Sequence, residues 1–280
     1  MKRREFIAAG LVLAVCARAG VAAPTKKGPS TAESMDVEVW QGLRRQLFGE
    51  REIAIDADDV IGLETPYRAA DAASVPIAMR GHLDGSDGRY IKRMWLLIDQ
   101  NPTPVVGVFE FFPESAGADV ETRVRVNDYT FVRAIAETSD DKLYMTANFV
   151  KASGGCSAPA SKDPAAAAQS LGRMKLRIDP PVQPGGAARA QVLIRHPNVT
   201  GLAMDQLTRM YPQPHYVRKI TVSYRDRPVM NAEVTFAIAE NPSFRFNFRH
   251  DGAGVLVVHA EDTEDTQFEA RARVDENGMS

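Results

Sequence analysis

Val120-Glu121-Thr122-Arg123-Val124-Arg125-Val126 sets an apolar or β-branched side chain at every even position and a charged one at every odd position. Period-two alternation is the pattern of a strand with one buried and one solvated face. The same beat recurs at Leu143, Met145, Ala147 and Phe149, at Ile220, Val222 and Tyr224, and at Phe244, Phe246 and Phe248. Between these runs stand turn clusters such as Asp84-Gly85-Ser86-Asp87-Gly88, Gln100-Asn101-Pro102, Glu114-Ser115-Ala116-Gly117, Arg225-Asp226-Arg227-Pro228 and His250-Asp251-Gly252. Short strands at regular intervals predict antiparallel sandwiches, with about seven strands before Lys151 and about seven after Gly172. One helix is expected near the N-terminus, from Asp36 to Phe48. There Trp40, Leu43 and Leu47 share a face, Ser34 or Asp36 could cap and Gly49 could stop it. The expected fold is therefore all-β: two antiparallel β-sandwich domains, 34–151 and 172–276, joined by a flexible linker at 152–171, with a short N-terminal helix.

With 280 residues, 44% hydrophobic and 25% charged, the chain has the composition of a soluble protein long enough for two cores. Residues 1–23 read separately. Lys2, Arg3 and Arg4 precede an apolar run from Phe6 to Cys16, and small residues lead to Ala22-Ala23, as in a cleaved secretory signal too short to anchor in a membrane. Arg3-Arg4 followed by Glu5-Phe6-Ile7 also resembles the twin-arginine export pattern. Cys16 follows Val15, where a lipobox needs a small residue, so lipid anchoring is disfavoured. Cleavage removes four of 34 basic and one of 36 acidic residues, leaving a net charge of -5 that implies no nucleic-acid partner.

The usual catalytic signatures are absent. The chain has no Gly-x-Ser-x-Gly, no phosphate-binding glycine loop and no Cys-x-x-Cys. His82, His196, His215, His250 and His259 show no metal-ligand spacing, so neither a metal nor a cofactor is expected. The arginines at 123, 125, 245, 249, 271 and 273 could attract anions, but outward strand positions are usually solvated charge. Cys156 is different. It is the one cysteine an exported chain would keep, set in Lys151-Ala152-Ser153-Gly154-Gly155-Cys156-Ser157-Ala158-Pro159. That stretch offers no apolar surroundings and no second cysteine, which points to an accessible thiol that is either reactive or cross-links two copies. Placed on a mobile linker, Cys156→Ser is expected to leave stability almost unchanged.

These residues resemble a fusion of the two subunits of SoxYZ, the periplasmic sulfur carrier of thiosulfate oxidation. The first half is similar to SoxY at Val75-Pro76-Ile77, Leu97 to Pro104, Arg133 to Thr138 and the Gly154-Gly155-Cys156 arm. The second is similar to SoxZ at Ile194-Arg195-His196-Pro197, Thr200-Gly201, Val217 to Tyr224, Arg227-Pro228-Val229 and Asn241 to Phe244. The resemblance implies immunoglobulin-like sandwiches, no catalytic residues, and a covalent carrier cysteine at Cys156 swung on Gly154 and Gly155. It implies a periplasmic location and partner enzymes that act on the cargo. Fused chains of this kind imply association with a quinoprotein dehydrogenase or its cytochrome. The alternative is a non-enzymatic docking module in which Cys156 only forms a disulfide-linked dimer. One departure is visible: here the arm continues into a second domain instead of ending the chain.

Overall fold

The computed structural model describes residues 28–55, 57–83, 85–159, 164–179, 185–204 and 208–275. The expected signal segment, 1–23, lies outside them, as do residues 160–163 of the expected linker and residue 276. The chain begins with helices α1 (Thr31–Ser34) and α2 (Glu38–Phe48). Eight strands follow: β1 (Ile53–Ile55), β2 (Ile61–Glu64), β3 (Val75–Gly81), β4 (Ile91–Ile98), β5 (Val105–Phe111), β6 (Val120–Val124), β7 (Thr130–Thr138) and β8 (Leu143–Val150). After α3 (Pro164–Ser170) come β9 (Met174–Asp179), β10 (Ala187–Ile194), β11 (Val217–Tyr224), β12 (Arg227–Val234), β13 (Ser243–Arg249), β14 (Gly254–Asp262) and β15 (Gln267–Val274).

The all-β sandwich expectation holds, and the structure adds how its halves are joined. One sheet has nine strands in the order β1-β8-β7-β4-β5-β12-β11-β14-β15, and the other has six in the order β2-β3-β6-β13-β10-β9. Both sheets run through both halves. β5 pairs antiparallel with β12, setting Phe111 opposite Met230 and Gly107 opposite Val234. β6 pairs antiparallel with β13, setting Val120 opposite Phe246. The two sequence domains are thus one continuous sandwich over a shared core. Phe109 of β5 and Phe244 of β13, both fully buried, meet across the layers with ring centroids 6.3 Å apart.

The outer face of the nine-stranded sheet is covered in the first half by the N-terminal helices. Trp40 and Phe48 pack on Ile53, Leu97, Ile135, Leu143 and Met145. β7 is therefore buried along its whole length instead of alternating. Beneath Trp40 the buried Arg133 makes a two-pronged ion pair with Asp99 at 2.8 and 2.7 Å, and donates to Ser34 Oγ and O at 2.8 and 2.9 Å. Its guanidinium also lies 4.3 Å from the Trp40 ring centroid. Ser34, expected as a helix cap, serves this network instead. α2 starts at Glu38 after Val37, which makes no side-chain cap, and ends at Gly49 with φ +60° as expected. No helix among the described residues is long and apolar enough to cross a membrane.

Because each half would leave one edge of both sheets unpaired, the two halves expressed as separate chains should co-purify, and either alone should aggregate. Phe244→Ala should cost about 3–5 kcal/mol in chemical denaturation of the whole chain, with a single transition as both halves unfold together. Two separate transitions would contradict the shared core.

Candidate functional site

The end of β6 is the seat of the site. Past Val124 the chain leaves the ladder, and Asn101, from the turn after β4, holds its backbone: Asn101 Nδ2 donates to the Arg125 carbonyl at 2.8 Å and Oδ1 accepts from Asn127 N at 2.9 Å. Arg125 N donates to Ala237 O at 2.7 Å, tying the turn to the second half. The arm then docks on this turn. Gly154 N donates to Asn127 O at 2.8 Å and Gly155 N to Val126 O at 3.0 Å. From the second half, Thr200 Oγ1 donates to the Cys156 carbonyl at 2.8 Å.

Cys156 is consequently buried, with 0% of its surface exposed. This corrects the expectation of an accessible thiol. Ala152, Gly155 and Cys156 are buried at the seam between the halves while Ser153, Gly154, Ser157 and Pro159 stay exposed, and residues 164–170 form α3. The cause lies in backbone chemistry: a Gly, Ala and Ser segment cannot bury large side chains, but its amides and carbonyls dock through hydrogen bonds offered from elsewhere in the chain. Gly155 illustrates it. A Cβ there would lie 2.1 Å from the Ala72 carbonyl oxygen, so only glycine permits the docked arm. Gly154 has φ +81° with open space around it, a conformation suited to a hinge.

Burial pushes the Cys156 thiol up to about 11, against an ordinary 9.0, and the nearby Arg125 charge only partly opposes this. The docked thiol is therefore neutral and a poor nucleophile at neutral pH. Lys151, a cation close to the thiol in sequence, has its Nζ 4.9 Å from the Tyr67 ring centroid. The cation whose charge acts on the thiol is Arg125, which bonds the carbonyl of the preceding residue, Gly155. Alternation assigns Arg125 to a solvated face, yet it is 1% exposed, because β6 ends at Val124 and strand parity no longer applies. Its Nη1 donates to Gly155 O at 3.2 Å and its Nη2 to Asn198 O at 3.4 Å.

The second half presents Asn198 and Thr200 from a loop braced by groups far apart in sequence. His196, His215 and Asp262, scattered along the chain, come together: Asp262 Oδ2 lies 3.5 Å from His196 Nε2 and 2.9 Å from His215 Nε2. Asp262 Oδ1 accepts from Glu264 N and Thr266 N, both at 2.9 Å. His196 Nδ1 accepts from Asn198 N at 3.1 Å, which places the proton of a neutral ring on Nε2, facing Asp262. Burial, then the neighbouring His215, pushes His196 down to about 4, so that ring is neutral at pH 7. With its proton on Nε2, His196 offers no lone pair to a metal there; His215 is hydrogen-bonded to Asp262, while His196 Nε2 lies 3.5 Å from the same carboxylate without a hydrogen-bond partner, and the trio packs behind the loop that grips the arm.

Iodoacetamide should modify Cys156 in the folded chain at pH 7.5 at least ~10-fold more slowly than in the denatured chain. The raised pKa favours docking of the neutral thiol, a contribution present below pH 9.0 and lost as pH rises towards about 11. The modification rate of the denatured chain should level off above pH 9.0, while that of the folded chain should keep climbing towards about 11. Parallel profiles would contradict a docked thiol. Cys156→Ser, which buries a hydroxyl where a thiol packs, should cost ~1–3 kcal/mol, in place of the negligible loss expected of a linker position.

Comparison with known proteins gives an order that matches this geometry. The family described as "Sulfur oxidation protein SoxY" matches residues 44–156, ending on Cys156, and "Sulphur oxidation protein SoxZ" matches residues 176–273. Among solved structures, the sulfur carrier protein SoxY from Chlorobium limicola f thiosulfatophilum is 21% identical. The alignment covers 43% of this chain and 96% of that one, with a TM-score of 0.33. A superoxide reductase (neelaredoxin) from Ignicoccus hospitalis is 15% identical over 35% of this chain and 94% of its own, with a TM-score of 0.31. The comparison with curated proteins returns no match. A SoxY domain that ends on the docked cysteine, followed by a SoxZ domain that completes both sheets and grips the arm, makes this chain a member of the SoxY and SoxZ families fused in tandem.

Proposed function

We propose that this chain is a non-enzymatic periplasmic carrier that presents a covalently bound, sulfur-containing intermediate on Cys156 to partner enzymes. The observation that carries the reading is Cys156 itself: the last residue matched to SoxY, on a Gly-Gly hinge, held in the seam between two family domains. Both matched families are sulfur oxidation proteins, which supports the cargo class. A buried neutral thiol suits storage, and transfer requires the arm to leave its seat so that the thiolate can form. Four hydrogen bonds hold the arm from Gly154 to Cys156: two from its own amides to Val126 and Asn127, one from Thr200 and one from Arg125. Such a seat can open locally without unfolding either sheet. Because the arm continues into α3, it enters a partner as a loop, and a partner must offer a cleft wide enough for two strands of chain. A quinoprotein dehydrogenase or its cytochrome as that partner rests on the resemblance to fused carriers.

The competing reading, a docking module cross-linked through Cys156, equally requires the arm to leave its seat, because the docked thiol is buried. Intact mass of protein isolated natively, together with non-reducing electrophoresis, separates the two. A carrier shows monomer with small mass additions at Cys156, whereas a cross-linked module shows dimer without them. In the complete partner system Cys156→Ser should abolish both adduct and dependent oxidation; undiminished activity would sink the carrier reading.

A further inference from the structure

Two arginines are fully buried, Arg133 beneath the N-terminal helices and Arg125 at the seam, and they differ in one respect. Arg133 is compensated: Asp99 meets its guanidinium with both carboxylate oxygens, and Ser34 takes two further bonds at 2.8 and 2.9 Å. Arg125 has no such partner. No carboxylate among the described residues forms an ion pair with it, and Asp71 and Glu240 act only at longer range. Its Nε is buried without a hydrogen-bond acceptor. Its five N–H donors find two neutral carbonyls, at 3.2 and 3.4 Å, longer than the 2.7–2.9 Å usual for charge-assisted bonds. A buried guanidinium stays charged at neutral pH, and leaving such a charge uncompensated is costly. The group whose own ionisation Arg125 favours is the Cys156 sulfur.

We propose that Arg125 is the specificity-determining residue of the carrier: its guanidinium supplies the counter-charge for an anionic terminal group on the Cys156 adduct while the arm is docked. This rests on the carrier reading and narrows it. Among adducts a cysteine can hold, Arg125 favours those that end in a sulfonate or a persulfide anion over neutral acyl or alkyl groups and over cationic ones. The two long carbonyl bonds, one of them to the arm at Gly155, are weak enough to be exchanged for stronger bonds to an anion. Docking of the arm then depends on the charge of its cargo: an anionic adduct is held more tightly than an otherwise similar neutral one.

The test uses the full chain and three methanethiosulfonates that differ in charge: 2-sulfonatoethyl, 2-hydroxyethyl and 2-(trimethylammonio)ethyl. In each case the Cys156 thiolate attacks the sulfenyl sulfur, an S–S bond forms, and methanesulfinate leaves with the electron pair. After mass spectrometry confirms complete modification, thermal unfolding is measured for each adduct. The sulfonate adduct should melt at least ~3 °C above the trimethylammonium adduct, with the hydroxyethyl adduct between them. In Arg125→Met this ordering should collapse, and in Arg125→Lys it should narrow but keep its sign. Equal melting of the three adducts in the unsubstituted chain overturns the assignment whether or not the Arg125 variants fold, as does an undiminished gap in a folded Arg125→Met. If none of the reagents modifies Cys156 in the folded chain, the carrier reading itself fails. Modification with charge-blind stability removes only the role of Arg125.

Discussion

The pairing of β5 with β12 and of β6 with β13 is the constraint on which the rest of the structure depends. Each half taken alone carries a sheet edge in both layers, with unpaired amides and carbonyls that would seek any other strand. Joining the halves edge to edge satisfies those groups and extends one apolar layer from Ile61 to Val274. Connection within one chain keeps the partner edges at high effective concentration, so the seam forms without a bimolecular step. The seam is also where the arm lies. Val126 and Asn127 from the first half, and Thr200 from the second, bind it, so the docking site exists only when both halves are in register.

The burial of the thiol changes what the arm must do. A free cysteine in an oxidising compartment is exposed to adventitious disulfides, and its reactivity scales with the thiolate it presents. Desolvation at the seam suppresses the thiolate, and the backbone bonds of Gly154, Gly155 and Cys156 hold the segment without large side chains. The glycines fit the docked arm in two ways. Gly155 allows contact with the Ala72 carbonyl that any other residue would block, and Gly154 takes a left-handed conformation with room to turn.

The brace of His196, Asp262 and His215 shows how the second half contributes without touching the sulfur. Asp262 ends β14, His215 precedes β11, and His196 follows β10, so three strand ends converge on one carboxylate, which His215 bonds and His196 approaches to 3.5 Å. Asn198 then bonds Val217 N and Ile238 O, and its carbonyl accepts from Arg125. Rigidity passes from this cluster to Thr200, whose hydroxyl holds the cysteine carbonyl. The polar residues of the SoxZ-like motif around Ile194 to Gly201 are therefore explained by the grip they exert on the arm of the other domain.

Much of this was legible in the amino-acid sequence by itself. Period-two alternation at Val120 to Val126 and at Phe244 to Phe248 specified strands with one buried face, the turn clusters specified the all-β class, and Gly49 specified the end of the helix, because these are local properties of backbone and side chain. The ordered motifs specified the family, and with it Cys156 as the residue of interest. Tertiary structure alone decided the rest. Edge-to-edge pairing of β5 with β12 is a relation between segments more than a hundred residues apart, and nothing in either strand announces its partner. The docking of Gly154 to Cys156 depends on hydrogen bonds supplied by Val126, Asn127 and Thr200, which a composition reading of the arm cannot contain. Arg125 reads as a solvated charge until the strand is seen to end one residue earlier, after which the same side chain is buried at the seam and bonds the Gly155 carbonyl next to the cysteine.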